Sequence, residues 1–530
     1  MVVTRETHAT DAGEAILESG GNAIDAAVAV AFTLAVTHPS AGNLGGGGFM
    51  LIRLADGRST FIDFRERAPA SASRNMYIDP ATNIATNDSR SGYRASGIPG
   101  TVRGMEYAHE KYGKKPWKDL VTPAVIIATD GFPLSYGLSQ NLRSDATTAK
   151  LARFPESKRI FLKDGAFYDF NETFKQPELA RTLRRIRDRG AKDFYEGETA
   201  RLLAADMAAN HGEITLEDLR DYKAIERKAL EGNYKGYGIV TAPPPSSGGV
   251  GILQMMGMLE GTNYERSGAG SALALHYEAE VMRRFFADRS EYLGDPDFVK
   301  NPLTALLNPK YIASRRASID PAKATPSEQI HPGVLGPYES LETTHYSIAD
   351  ADGNAVSVTY TLNAGFGSGV TATGLGFLLN NEMDDFAADP GKANLFGLIQ
   401  GESNAIAPRK TPLSCMTPTI VTKDGKLYMV LGSPGGPTII NTVLEVILNV
   451  IDFGMNMQQA LDQTRIHHQW MPDSLSVENT ASPDTIELLK QRGHTVRVTN
   501  SIGEVAAIRI NGKWIEGAPD GRTEGTAKGY

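Results

Sequence analysis

Apolar and hydroxyl-bearing side chains alternate along residues 355–361, which is typical of a strand whose two faces differ. The apolar positions are Val356, Val358 and Tyr360, and the hydroxyl positions are Ser357, Thr359 and Thr361. A second β-branched and aromatic run begins at Thr343, and residues 351–354 lie between the two runs. Because those four residues contain an Asp-Gly step and an Asn, which tolerate positive φ, the pattern predicts a β-hairpin.

Apolar spacing also predicts helices near the beginning of the chain. Residues 9–19 are expected to form a helix that ends at Gly20-Gly21, and Asn22 is expected to cap an apolar helix over residues 23–37. The apolar core of that helix, residues 26–36, is too short to span a bilayer and lies too far from the start for a signal peptide. A buried helix is therefore predicted.

Further elements follow from the same patterns. Residues 177–209 are rich in Arg, Leu and Ala and are interpreted as one or two amphipathic helices. Residues 417–422 and 427–431 are expected to form a second hairpin, followed by a helix over 440–452. Ser246 and Ser247 are interpreted as caps of the helix after them, since no Gly-x-Ser-x-Gly motif of serine hydrolases is present.

Composition limits the class of protein. At roughly 100–200 residues per domain, 530 residues would make three or four domains. No linker-like run divides the chain, so one interlocked globule or two closely packed lobes are expected. The net charge of −8 argues against binding to nucleic acid or anionic membrane. Cys415 is the one cysteine, which excludes an intramolecular disulfide.

Two motifs suggest ligand sites but favour structural interpretations. Gly45–Gly48 precede a strand and lack the Lys-Ser/Thr ending of a phosphate-binding loop, so a closely packed turn is favoured and nucleotide binding is not supported. His345 and the pair His467-His468 lack metal-ligand spacing, and adjacent strand residues face opposite ways. No metal and no cofactor are predicted.

The hairpin opens on two adjacent threonines, Thr343 and Thr344. A threonine inside a chain is a poor nucleophile, whereas a threonine at a chain terminus has its own α-amine as a general base. Cleavage between Glu342 and Thr343 would create such a residue. Thr-Thr is also ordinary strand composition, so this local pattern alone leaves both interpretations open.

Longer sequence motifs point to a family. The segments 343–347, 352–356, 359–363, 380–386 and 432–436 occur in that order. Together they resemble the γ-glutamyltransferase (γ-glutamyltranspeptidase) family of N-terminal-nucleophile hydrolases, over nearly the whole chain. The resemblance implies an α+β fold, a four-layer αββα sandwich with additional helices in the N-terminal half. It also implies autocatalytic cleavage of a proenzyme into residues 1–342 and 343–530, which stay interlocked as a heterodimer.

The resemblance also implies an activity and a site. The activity is hydrolysis and transfer of γ-glutamyl groups from glutathione, glutamine and other γ-glutamyl amides, through an ester on Thr343, to water or to an amino-acid or peptide acceptor. Thr361 would orient the nucleophile, and the amides of Gly435 and Gly436 would bind the oxyanion. The substrate α-ammonium would contact Asn363, Glu382 and Asp385. Its α-carboxylate would contact Arg65, Ser414 and Cys415, although the charge pattern alone makes Arg65 a surface residue.

Two positions depart from the family pattern. Many members have a second serine where Cys415 stands, and a thiol is the weaker hydrogen-bond donor. Phe396 occupies the position of a lid tyrosine in many bacterial members, so the predicted lid, residues 387–410, would close by apolar packing rather than through a hydroxyl.

The resemblance also implies a location, and it leaves alternative functions to consider. Since members of the family are usually exported, a periplasmic or secreted protein whose leader was removed before this numbering is expected. The rivals are an acylase for glutaryl side chains, a poly-γ-glutamate transpeptidase of the same fold, and an exported solute-binding protein without chemistry. The carboxylates Glu382 and Asp385 favour a substrate with an α-ammonium, which glutaryl groups lack.

Overall fold

The computed structural model describes residues 1–331, 344–387 and 401–530. The strands in these residues are β1 (Val2–Thr4), β2 (Gly47–Arg53), β3 (Ser59–Asp63), β4 (Ile78–Asp79), β5 (Ile84–Ala85), β6 (Phe132–Pro133), β7 (Thr173–Phe174), β8 (Ile225–Arg227), β9 (Leu230–Tyr234), β10 (Tyr237–Thr241), β11 (Thr344–Ala349), β12 (Ala355–Thr361), β13 (Thr419–Lys423), β14 (Lys426–Gly432), β15 (Ile466–His467), β16 (Leu475–Glu478), β17 (Val496–Thr499), β18 (Ala506–Asn511), β19 (Trp514–Pro519) and β20 (Thr526–Lys528).

The α-helices in the same residues are α1 (Thr7–Glu18), α2 (Ala23–Thr37), α3 (Thr101–Tyr112), α4 (Trp117–Asp130), α5 (Tyr136–Arg143), α6 (Asp145–Leu151), α7 (Pro155–Phe161), α8 (Pro177–Arg189), α9 (Ala191–Glu196), α10 (Glu198–Ala209), α11 (Leu216–Asp221), α12 (Gly248–Leu259), α13 (Ala272–Tyr292), α14 (Leu303–Leu306), α15 (Pro309–Ala317), α16 (Thr438–Ile451), α17 (Met457–Asp462) and α18 (Pro483–Gln491). None of the described helices is long and apolar enough to cross a membrane.

Two antiparallel sheets form the centre of the fold. The first has seven strands in the order β20-β1-β11-β12-β2-β3-β8, and the second has six in the order β19-β18-β14-β13-β10-β9. The predicted hairpin is confirmed as β11 and β12, in which Thr344 pairs with Tyr360 and Ala349 with Ala355. The second predicted hairpin is confirmed as β13 and β14.

The two faces of the first hairpin are both buried, each in its own way. Tyr346, Val356 and Val358 pack in the same apolar cluster as α2. On the opposite face, the hydroxyls of Ser347 and Ser357 donate hydrogen bonds of 2.9 and 3.0 Å to carbonyls of β18 and β14 in the second sheet. The hydroxyl-lined face therefore lies between the sheets, where each of these donors is satisfied.

Helices cover the outer faces. Every residue of α2 is buried, and the side chain of Asn22 accepts from the amides of Ile24 and Asp25 in a capping box, as the sequence predicts. Residues of α12, α13 and α16 pack with the second sheet in another apolar cluster. The predicted four-layer αββα arrangement is thus confirmed.

Two predictions from short segments, the glycine run and the helices over residues 177–209, have different outcomes. Gly45–Gly48 are closely packed, as predicted, because an added Cβ on Gly46 would lie 2.0 Å from the carbonyl oxygen of Thr361. They do not form a separate turn, since Gly47 and Gly48 are the first residues of β2. The prediction of one or two helices over 177–209 is wrong. The segment forms three helices, since Gly190 and Gly197 take non-helical backbone angles between them.

Candidate active site

Most of the candidate residues meet in one small cavity of about 10 Å³, the size of about one water molecule. They come from the segments that leave β3 and β12, from the 3-10 turn at residues 382–385, from the approach to β13 and from the turn before α16. The candidates that line it are Arg65, Thr361, Asn363, Glu382, Asp385, Ser414, Cys415 and Gly436. Gly435 lies next to them in the chain and faces a second, larger cleft.

Arg65 is the cation of this cavity. Its side chain is 1% exposed and pairs through one guanidinium nitrogen with Glu382 and through the other with Asp385, at 2.5 Å. The charge-pattern prediction of a surface residue is therefore wrong, because the two carboxylates compensate for the desolvation of the guanidinium. The hydroxyl of Tyr222 donates to the Arg65 carbonyl at 2.8 Å and fixes the backbone there.

A third carboxyl, that of Glu66, belongs to the same cluster and was missed by sequence reasoning. It is fully buried, and its Oε2 lies 3.8 Å from Arg65 Nη1. Burial raises the pKa of Glu66 to about 7, although the Arg65 charge opposes the shift. Burial likewise raises the pKa of Glu382 well above its usual range. The cluster therefore places three acidic side chains around the single positive charge of Arg65.

Two asparagines hold the acidic turn in place. Oδ1 of Asn380 accepts from the amides of Gly97 and Glu382 at 2.9 and 3.0 Å, and its Nδ2 donates to the Gly45 carbonyl at 2.7 Å. Oδ1 of Asn381 accepts from the Ala364 amide at 3.0 Å. The glycine run, the end of β12 and the acidic turn are thereby joined into one rigid support.

Thr361 and Asn363 leave the end of β12 and face the cavity. The Asn363 amide donates to Thr361 Oγ1 at 2.8 Å, and Asn363 Nδ2 donates to the Asn381 carbonyl at 3.0 Å. Asn363 has a φ of +76°, in the left-handed region where Asn is more tolerated than most residues. The turn directs its side chain back toward the acidic segment.

Gly435 and Gly436 form the turn between β14 and α16. Their φ values of +126° and +57° lie in the left-handed region. A Cβ on Gly435 would meet Oγ1 of Thr438 at 2.3 Å, so glycine is required there. Neither amide donates a hydrogen bond to another described residue, and both stand at the beginning of α16, where the helix dipole favours negative charge. The pair has the features of an oxyanion site.

Ser414 and Cys415 are held from behind by a buried arginine that sequence reasoning missed. Arg289, on α13, donates from Nε to Ser247 Oγ at 2.7 Å, and its Nη2 lies 3.2 Å from Cys415 Sγ. Ser247 Oγ in turn donates to the Ser414 carbonyl at 2.8 Å. Ser247 is the N-cap residue of α12, as predicted, but its side chain makes no capping hydrogen bond. Ser246 Oγ does accept from the Gly248 amide at 3.0 Å.

The three histidines considered in the sequence are buried. His345 contacts the hydroxyls of Ser347 and Thr359 at 3.0 Å, and burial lowers its pKa to about 3. Burial lowers the pKa of His467 to about 4 and that of His468 to about 3. In the described ranges, no group of three or more His, Cys, Asp or Glu side chains is arranged to hold a metal ion.

Three predictions fall outside the described residues. Thr343 and the bond to Glu342 lie there, as do Phe396 and residues 388–400 of the predicted lid. Thr344, which follows Thr343 in the chain, begins β11 and pairs with Tyr360, the neighbour of Thr361. The hairpin thus starts at the edge of the cavity.

Sequence comparison identifies relatives along the whole chain. The family described as gamma-glutamyltranspeptidase matches residues 9–530. The protein named glutathione hydrolase proenzyme of Pseudomonas sp. (strain A14) is 51% identical over 523 residues, which are 98% of this chain and 91% of that one.

Solved structures share the fold. A cephalosporin acylase from Bacillus halodurans matches with a TM-score of 0.88 at 26% identity, over 100% of this chain and 96% of that chain. The γ-glutamyltranspeptidase of Helicobacter pylori matches with a TM-score of 0.60 at 42% identity, over 62% of this chain and 95% of that chain. The chain belongs to the γ-glutamyltranspeptidase family, whose members are enzymes.

Proposed function

We propose that the protein hydrolyses glutathione and other γ-glutamyl amides and transfers their γ-glutamyl group to amino acids or peptides. The observation that carries the proposal is the buried Arg65 held between Glu382 and Asp385. A γ-glutamyl group has an α-carboxylate and an α-ammonium at one end, so one guanidinium and two carboxylates complement it. On binding, the α-carboxylate pairs with Arg65 and accepts hydrogen bonds from Ser414 and Cys415. The α-ammonium pairs with Glu382 and Asp385 and donates a hydrogen bond to Asn363.

The nucleophile in this proposal is Thr343, released by cleavage of its bond to Glu342. Its hydroxyl first attacks the Glu342 carbonyl, the peptide nitrogen leaves as the new α-amine, and water hydrolyses the resulting ester. Two findings support processing of the chain into two fragments. The similar protein from Pseudomonas is named a proenzyme, and the Helicobacter chain aligns over 62% of this chain, close to the share of about 65% that residues 1–342 make up.

The catalytic cycle then runs through an ester. The α-amine of Thr343 takes the hydroxyl proton as the oxygen attacks the γ-carbonyl carbon. The oxyanion accepts hydrogen bonds from the amides of Gly435 and Gly436. The C–N bond breaks, and the departing amine takes the proton. Water or an acceptor amine then attacks the ester, gives its proton to the same α-amine, and releases glutamate or a new γ-glutamyl amide as Thr343 recovers its hydroxyl. Thr361 orients the nucleophile.

Strand order supports a heterodimer of the two fragments. Strands β11 and β12, from the later fragment, lie between β1 and β2 from the earlier one, and β13 pairs with β10 in the second sheet. Separation would break hydrogen bonds in both sheets, so the fragments are expected to stay together. A periplasmic or secreted location is proposed from the family resemblance.

The test compares two chromogenic donors, γ-glutamyl-p-nitroanilide and glutaryl-p-nitroanilide, which differ only in the α-ammonium. The two acids are expected to favour the γ-glutamyl donor at least about 30-fold in kcat/KM, from about 2 kcal/mol for a buried charge pair. Glu382→Gln and Asp385→Asn should each reduce that preference. An equal or faster rate with the glutaryl donor would instead identify an acylase, and no release from either donor would refute the enzymatic assignment of the site.

A further inference from the structure

A wide cleft of about 560 Å³ opens beside the small cavity. Gly435 lines the cleft, and the next residue, Gly436, lines the cavity that contains Arg65. If the two glycine amides bind the oxyanion of the carbonyl under attack, one side of that carbonyl faces the cavity and the other faces the cleft. The γ-glutamyl charges are matched in the cavity, so the other substituent, the amine side of the scissile bond, is directed into the cleft.

One wall of the cleft is the polar face of a small three-stranded sheet. Register places His467 of β15 beside Ser476 of β16, and Ser476 beside Arg497 of β17. All three line the cleft, and Thr499, two residues along β17, lines it with them. On the opposite face of β16, Val477 is buried in the core. The alternation of the strands therefore presents a row of hydrogen-bonding groups to the cleft.

The cleft is lined by one more positively charged side chain than negatively charged ones. Its titratable lining groups are Arg5, His467, Arg497 and Glu504. Arg5 forms an ion pair with Glu504, and His467 is neutral near pH 7 because burial lowers its pKa to about 4. Arg497 is exposed and forms no ion pair with any other described residue. The cleft thus offers one uncompensated guanidinium among hydroxyl and amide groups.

We propose that Arg497 pairs with the C-terminal carboxylate of the peptide in this cleft, which is first the leaving group and then the acceptor. The proposal rests on the proposed function, in which leaving group and acceptor occupy the same side of the acyl ester in turn. The dipeptide that leaves glutathione, and a dipeptide acceptor, each carry an amine, a peptide group and one carboxylate. The amine faces Gly435, and the sheet hydroxyls hydrogen-bond to the peptide group.

The experiment measures transfer from γ-glutamyl-p-nitroanilide to two acceptors, glycylglycine and glycylglycine amide, which differ in the C-terminal carboxylate. The variants are Arg497→Ala, Arg497→Lys and Arg497→Glu. Arg201→Ala is the matched control, since Arg201 is an exposed arginine on α10 that does not line the cleft. Hydrolysis of the anilide without acceptor reports whether each variant is folded and whether the proposed function holds.

Arg497→Ala is expected to raise the KM for glycylglycine about three- to fivefold, the effect of an ion pair at a solvent-exposed site. It should leave the KM for the amide and the hydrolysis of the anilide within twofold of wild type. Arg497→Lys should retain most of the preference for glycylglycine over glycylglycine amide, and Arg497→Glu should reverse that preference. An equal change for both acceptors, or no change for either, would overturn the subsite. Failure of wild-type anilide hydrolysis would instead overturn the proposed function.

Discussion

Replacement of Arg65 by alanine would leave Glu382 and Asp385 buried without the cation that pairs with both. Removal of one partner from a buried ion pair costs about 3–5 kcal/mol, and the side chains concerned are 1%, 1% and 6% exposed. We expect a loss of that size in the free energy of unfolding at pH 7.5, measured with urea in a Thr343→Ala background so that the chain stays whole. Without the opposing charge of Arg65 the pKa of Glu382 rises further, so its protonation should restore part of the stability at pH 5.

The same replacement removes the proposed partner of the substrate α-carboxylate. A loss of about 2–5 kcal/mol corresponds to a fall of roughly 30- to 5000-fold in kcat/KM for γ-glutamyl-p-nitroanilide. Arg65→Lys keeps the charge without the bidentate donor geometry, so its kcat/KM should lie between those of wild type and Arg65→Ala. Adding Glu382→Gln to Arg65→Ala should recover stability without recovering activity. A kcat/KM within about threefold of wild type, or the same loss of stability at pH 5 and pH 7.5, would refute the reasoning.

Three more perturbations follow from single contacts. The folded-state pKa of Glu66 is about 7, above its ordinary 4.5, so the free energy of unfolding should fall by about 3 kcal/mol as pH rises from 4.5 to 7. In Glu66→Gln the urea midpoint of unfolding should change less with pH across that range. Asn22→Ala should cost about 1 kcal/mol by urea unfolding while Asn22→Ser costs less, because serine also caps; equal losses would contradict the cap. Gly435→Ala should lower kcat about 100-fold, because the turn that carries the oxyanion donors would shift. The control Gly425→Ala, at an open turn with positive φ, should leave kcat unchanged. Equal effects of the two substitutions on kcat would contradict the oxyanion role of Gly435.

Local chemistry made much of the fold predictable. Asn22 caps α2 through contacts within three residues, and the period of two in residues 355–361 fixed which side chains share a face. The close packing of Gly45–Gly48 was predictable as well, because four consecutive glycines indicate close backbone approach. These signals lie within a few residues of each other and do not depend on the tertiary structure.

Burial of charge was not predictable from local pattern. Arg65 and Asp385 are 320 residues apart in sequence, so neither segment indicates the ion pair. Glu66 was missed for the same reason. The partner of the Ser247 side chain was not predictable, because Arg289 comes from a different helix. The positions of the substrate-binding candidates came from the family resemblance rather than from periodicity.

The most direct test of the central claim is N-terminal sequencing and intact mass of the purified protein, with wild type beside Thr343→Ala. Wild type is expected to yield two chains, one of which begins Thr343-Thr344-His345. Thr343→Ala is expected to remain a single inactive chain in which residues 342 and 343 stay joined. A wild-type protein that is fully active with residues 342 and 343 still joined, or a Thr343→Ala protein that cleaves itself and turns over γ-glutamyl-p-nitroanilide, would contradict this claim.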